Sequence, residues 1–115
     1  MLIIEDITTA ECKSIVEEHP EIKENGWKVA IEMEEEMNSN ISTDKPFQKI
    51  VDENGKCVGL AIISYHPKKL FSKPITNIFS LDIWDENYDR ADVDEAIMRR
   101  YPDTNKITRG RRPCQ

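Results

Sequence analysis

The chain has 115 residues, of which 38% are hydrophobic and 33% charged, with a formal net charge of −6 and a mean hydropathy of −0.61. That composition suits one solvated domain with a packed core, and no apolar run approaches the ~18–20 residues of a membrane span. Cys12, Cys57 and Cys114 lie far apart without metal-ligand spacing, which excludes a zinc module or a disulfide scaffold and fits reduced thiols in a cytoplasm.

Met1-Leu2-Ile3-Ile4-Glu5-Asp6 lacks the basic region and long apolar stretch of a secretory leader. Leu2 to Ile7 reads as a first strand. Thr8-Thr9-Ala10-Glu11 then has the form of a capping box, and a helix follows to about Glu18 with Cys12, Ile15 and Val16 on one face. Pro20 closes it. A second helix is predicted from Trp27 to Met37, where Val29/Ala30, Met33 and Met37 recur at helical spacing as a core stripe. Its Glu32, Glu34, Glu35 and Glu36 are expected on a solvated face.

Asn38 to Pro46 is a polar loop of turn formers. Phe47 to Val51 and Lys56 to Ile63 then flank Asp52-Glu53-Asn54-Gly55, and Asn-Gly between two apolar runs is a strong hairpin signal. A second hairpin is expected where His66 to Pro74 joins the strand ending at Tyr65 to Ile75–Trp84. After Asp85 to Arg90, a third helix is predicted from about Asp92 to Tyr101, burying Val93, Ala96, Ile97 and Tyr101, with Asp92 and Glu95 as its capping pair. Lys106 to Arg109 reads as a last edge strand. The expected domain is residues 1–105, followed by a basic tail at 106–115.

Charge is unevenly spread. Residues 1–55 carry 14 acids against five lysines, while the remainder carries eight acids and eleven bases. An acidic body repels phosphate backbones, so nucleic acid is not an expected partner except through the tail Lys106 to Arg112. A solvated basic terminus is the plainer reading of that tail.

The order strand–helix–helix–strand–strand–strand–helix–strand resembles the N-terminal and central part of the GNAT-type N-acetyltransferase fold, an α/β (α+β) fold with a mixed, mainly antiparallel sheet flanked by helices. The residues that carry the resemblance are Ile3-Ile4-Glu5-Asp6-Ile7-Thr8, Asn54-Gly55-Lys56-Cys57-Val58-Gly59-Leu60-Ala61, and Ile78 to Ile83 followed by Glu86-Asn87-Tyr88. The resemblance spans roughly residues 2–101 and implies coenzyme A binding at the start of the third helix. There the family carries approximately Tyr-Arg-Gly-x-Gly-x-Gly/Ala, whose glycines admit backbone N–H groups to the diphosphate.

This chain reads Tyr88-Asp89-Arg90-Ala91-Asp92-Val93-Asp94-Glu95 instead. Arg90, Asp92 and Asp94 stand at the glycine positions, and Asp89 stands where the family has a basic residue. A carboxylate ~6 Å from a phosphate charge, at an effective dielectric of ~20, is repelled by roughly 2–3 kcal/mol. Two such pairs weaken diphosphate binding by about three to four orders of magnitude. The same carboxylates serve as ordinary helix caps, which leads to the same consequence for an anionic ligand. The family's further helix and strands, which often bring a tyrosine to protonate the leaving thiolate, have no counterpart after Tyr101, so a C-terminally truncated member is expected.

Other reactive residues form no recognisable constellation. His19 and His66 lack carboxylates at metal-ligand spacing. Cys57 reads as a small buried hydrophobe, and a nucleophilic pair would need it to meet His66 or His19. Glu34-Glu35-Glu36 suits a solvated face better than a general base.

The expected function is therefore a non-catalytic, acetyltransferase-like accessory or structural module of the kind compact viral proteins reuse. Its expected partner is a protein or a second copy, with no cofactor, metal or membrane. Candidate contact residues are Leu70, Phe71, Trp84, Tyr88, Arg109, Arg111 and Arg112. The alternatives are an active acetyltransferase that holds acetyl-coenzyme A along Ile78–Ile83, and an RNA-binding accessory that uses the tail.

Overall fold

The computed structural model describes residues 1–20, 22, 26–37 and 45–110; most of the loop expected from Asn38 to Pro46 lies outside them. The elements run β1 (Ile3–Ile7), α1 (Thr9–Glu18), α2 (Gly26–Met37), β2 (Phe47–Val51), β3 (Cys57–His66), β4 (Ile75–Ile83), α3 (Arg90–Arg100) and β5 (Lys106–Arg109). The strands lie side by side in chain order. All neighbours are antiparallel except β4 and β5, which are parallel because α3 carries the chain back across the sheet. The fold class is the expected one. β5 joins the sheet, so residues 106–109 belong to the folded unit and a boundary at 105 falls too early.

Each local signal has an identifiable partner. Thr8 caps α1, its Oγ1 accepting from Glu11 N at 3.2 Å. The β2–β3 turn closes through Gly55 N–H donating to Asp52 O at 3.0 Å, and Gly55 takes φ +84°. The Asp52 carboxylate accepts from both Asn54 N and Lys56 N at 2.9 Å, which accounts for an acid buried at a hairpin turn.

Alternation along the strands divides the apolar residues between two faces. On one side Ile4, Ile50, Ala61, Ile63 and Ile78 pack against Val93, Ala96 and Ile97 of α3. On the other, Ile7, Phe47 and Leu60 pack against Cys12 and Ile15 of α1 and Trp27 and Ile31 of α2. Val58 shares the α3 side with Ala61 because the β2 register slips there: Ile50 faces Gly59 while Val51 faces Cys57.

α2 departs from expectation. Its inward residues are Trp27 and Ile31, whereas Val29, Met33 and Met37 are 55%, 55% and 73% exposed. Helical spacing places those three on one face, but the bulkier Trp27–Ile31 pair fills the space against Phe47 and Leu60. The outer edge of β1 is covered by α3. Arg99 Nη2 donates to Leu2 O at 2.7 Å, Arg100 Nη1 to Ile4 O at 3.2 Å, and Arg100 Nη2 to the Asp6 carboxylate at 2.6 Å.

Candidate functional site

β4 and β5 pair from Ile75↔Lys106 to Ile78↔Arg109 and then part. On its other side β4 pairs Ile62 with Ser80 but Ile63 with Ile78, so Phe79 is an extra, bulged residue at the point of parting. The resulting wedge is a cleft of about 240 Å³ lined by Ile78, Phe79, Ser80, Leu81, Arg90, Arg109 and Gly110. Buried Asn77 fixes its β5 side, donating to Gly110 O at 3.2 Å and accepting from Thr108 Oγ1 at 2.8 Å. Gly110 makes the turn away with φ +87°, and its N–H reaches Ile78 O at 2.9 Å.

The start of α3 borders this wedge through Arg90. Asp89 is the N-cap residue. Its carboxylate accepts from Asp92 N at 3.2 Å, and the Asp92 carboxylate accepts from Asp89 N at 2.9 Å. The capping box thus lies one turn earlier than the Asp92–Glu95 pair read from the sequence, and α3 begins at Arg90 instead of Asp92. Asp94 faces the last strand, where Arg109 Nη2 lies 2.7 Å from both of its oxygens. Arg90 lines the wedge and joins no ion pair among the described residues. The wedge therefore has two guanidiniums on its walls, while the helix start beside it is occupied by the chain's own carboxylates.

Four of the residues singled out above, Asp89, Arg90, Asp92 and Asp94, come together here with Arg109. Tyr88 packs against the α3-side core. Desolvation, then the carboxylates of Asp52, Asp85, Glu53 and Asp92, hold its hydroxyl above the usual phenol range, so it stays neutral. Trp84, named above as a candidate contact residue, packs on the α1–α2 side and stacks on His19 at 4.2 Å between ring centroids. Its indole Nε1 is buried without a hydrogen-bond partner among the described residues. Leu70 and Phe71 stand apart, exposed in the β3–β4 connection. Arg111, Arg112 and Cys114 lie outside the described residues.

The remaining candidates separate. Cys57 and His66 are the two ends of β3, about 30 Å apart at strand rise, so they form no nucleophilic pair. Glu35 pairs with Lys13 across the helices at 3.6 Å. No three His, Cys, Asp or Glu side chains converge on a metal-sized site among the described residues. The wedge lining on β4 was not singled out residue by residue, because the bulge at Phe79 arises from register and not from any local motif.

No protein-family model and no curated protein matches the chain. Solved structures do match. A transcriptional regulator from Bacillus halodurans C-125 aligns over 98% of this chain and 83% of its own, with 15% identity and a TM-score of 0.52. The aminoglycoside antibiotic 6'-N-acetyltransferase from Acinetobacter baumannii aligns over 98% and 81%, with 8% identity and a TM-score of 0.51. Ribosomal-protein-alanine N-acetyltransferase from Brucella melitensis biovar Abortus 2308 aligns over 98% and 82%, with 8% identity and a TM-score of 0.51. The fold is that of the GNAT-type acetyltransferases; at these identities the likeness extends to the fold alone.

Proposed function

We propose that this acetyltransferase-like chain is a protein-binding accessory module that does not transfer acetyl groups. The observation that carries the reading is the capping box at α3, where Asp89 and Asp92 bond each other's backbone N–H groups. In this fold a coenzyme diphosphate would need those amides, and two carboxylates now hold them. Among the described residues no tyrosine lines the wedge to supply a proton to a thiolate.

The contact surface is the outer stripe of α2. Val29, Met33 and Met37 follow one another at i, i+4 and i+8, and Glu32 and Glu36 run along one side of the stripe. An isologous pair of copies would set those carboxylates against each other. A different protein, with an apolar seat edged by basic groups, fits better.

Titration calorimetry with acetyl-coenzyme A tests the reading. The expected result is no saturable heat at millimolar ligand, and binding in the micromolar range overturns it. A second reading, an acetyltransferase with an atypical coenzyme site, is favoured by Arg90 and Arg109 on the wedge walls beside bulged Phe79. It predicts micromolar binding that weakens at least ~10-fold on Arg90→Ala, the loss of one charge-assisted contact.

A further inference from the structure

Between β3 and β4 the chain runs Pro67-Lys68-Lys69-Leu70-Phe71-Ser72-Lys73-Pro74. Lys69 and Ser72 exchange both backbone hydrogen bonds at 3.2 Å, so Leu70 and Phe71 form a two-residue turn at the tip. β2 accompanies β3 only as far as Ala61. Ile62 to His66 continue with β4, which carries the hairpin about 16 Å past the end of β2. Its base is braced by Tyr65 stacked on Tyr101 at 4.6 Å and by Asn105 N donating to Pro74 O at 2.8 Å. At the end of this prong Leu70 is 86% and Phe71 95% exposed.

The charge around the tip is opposite to that of the chain. No Asp or Glu occurs from Asn54 to Leu81, although the whole chain holds 22 acids. Lys68, Lys69 and Lys73 are exposed and join no ion pair among the described residues. The acid at the base, Asp103, accepts from the Tyr65 hydroxyl at 2.5 Å. Screening over a Debye length of about 8 Å separates the tip from the acidic body.

We propose that this hairpin tip docks on an anionic lipid bilayer, with Leu70 and Phe71 below the headgroups and the three lysines against lipid phosphates. A protein partner would need a matched surface of roughly 800 Å², and a two-residue prong offers no platform for one. A bilayer accepts an apolar tip without a shaped pocket and rewards a surrounding ring of cations. The expectation of no membrane partner rests on spanning segments. No helix among the described residues is long and apolar enough to cross a membrane, and a tip that inserts part-way needs none. Two weak signals acting together give reversible binding.

The test is co-sedimentation of the full chain with phosphatidylcholine vesicles, with and without about 30% phosphatidylserine, at low and high salt. Binding is expected only with the anionic lipid and is expected to fall steeply at high salt. L70S/F71S is expected to lose at least ~10-fold in affinity, from the apolar area no longer buried. Each lysine replaced in K68Q/K69Q/K73Q is expected to cost about 5-fold. Phe71→Trp should show a blue-shifted indole emission on the anionic vesicles. Circular dichroism of each variant verifies the fold, since both tip side chains are exposed. Equal binding by L70S/F71S, an unshifted emission from vesicle-bound Phe71→Trp, or full displacement by millimolar phosphoserine or inorganic phosphate each overturns the proposal. So does capture of soluble polyglutamate with no retention on vesicles.

Discussion

Arg109 meets Asp94 through one guanidinium nitrogen placed 2.7 Å from both carboxylate oxygens. The pair fastens the last strand to the first turns of α3 beside the wedge where β4 and β5 part. Both side chains are about a third exposed, so the stabilisation is that of a surface pair and the effect is mainly on the position of β5. Arg109→Ala is expected to lower stability by about 0.5–1 kcal/mol in urea unfolding. Amide exchange at Ile107 and Gly110 should accelerate more than exchange in β2 or β3. Uniform acceleration across the sheet would count against a local fastening role.

Trp27 is almost fully buried, and its indole N–H donates to the Asp82 carboxylate. Removing the acceptor leaves that N–H unpaired beneath α2. Asp82→Ala is expected to cost about 1–3 kcal/mol. Asp82→Asn, which keeps an acceptor oxygen, should recover most of the loss. Urea midpoints of the two variants measure the difference.

Gly59 lies where β2 and β3 slip in register. A Cβ there would stand 2.6 Å from Asp82 O, a backbone atom of the neighbouring strand. The strand cannot yield without breaking its pairing, so Gly59→Ala is expected to cost at least ~1–3 kcal/mol by overpacking. Gly55→Ala meets no neighbouring atom but takes φ +84°, for a smaller cost of about 1 kcal/mol. Thermal unfolding should therefore rank Gly59→Ala well below Gly55→Ala.

Cys12 is fully buried between α1 and the sheet, and desolvation, with a smaller contribution from Cys57, pushes its thiol from 9.0 up to about 12. The folded chain keeps this proton while the unfolded chain releases it above pH 9. Stability contributed by the neutral thiol is therefore intact below pH 9 and is lost progressively as pH rises towards 12. Cys12→Ala should flatten that alkaline decline relative to wild type in urea titrations at pH 8, 9.5 and 10.5. At pH 8 a thiol reagent should leave Cys12 unmodified until the chain is unfolded.

Much of the architecture was legible because short-range chemistry fixed it. The Thr8 cap, the Asn54–Gly55 turn and the alternation in β2 and β3 needed no distant partner to be read. The start of α3 was misplaced because Asp89, Asp92 and Glu95 repeat the same capping spacing. Only the extended backbone at Asp89 decides among them. The face of α2 was misread for a different reason. Spacing shows that Val29, Met33 and Met37 share a side, but whether that side turns inward depends on what Phe47 and Leu60 leave room for. The wedge was the least legible feature. Its walls come from β4, the first residue of α3 and β5, and its apex is a slip in pairing at Phe79 that no local pattern announces.

The arginines that cover β1 also limit how copies of this chain can join. With Leu2 O and Ile4 O already bonded by Arg99 and Arg100, a foreign strand finds no vacant carbonyl ladder on that side. The edges left for such joining are β5, the Ile62–His66 end of β3 that runs past β2, and β4 beyond Ile78 where β5 parts from it. Joining of copies through their sheets is thereby steered away from β1.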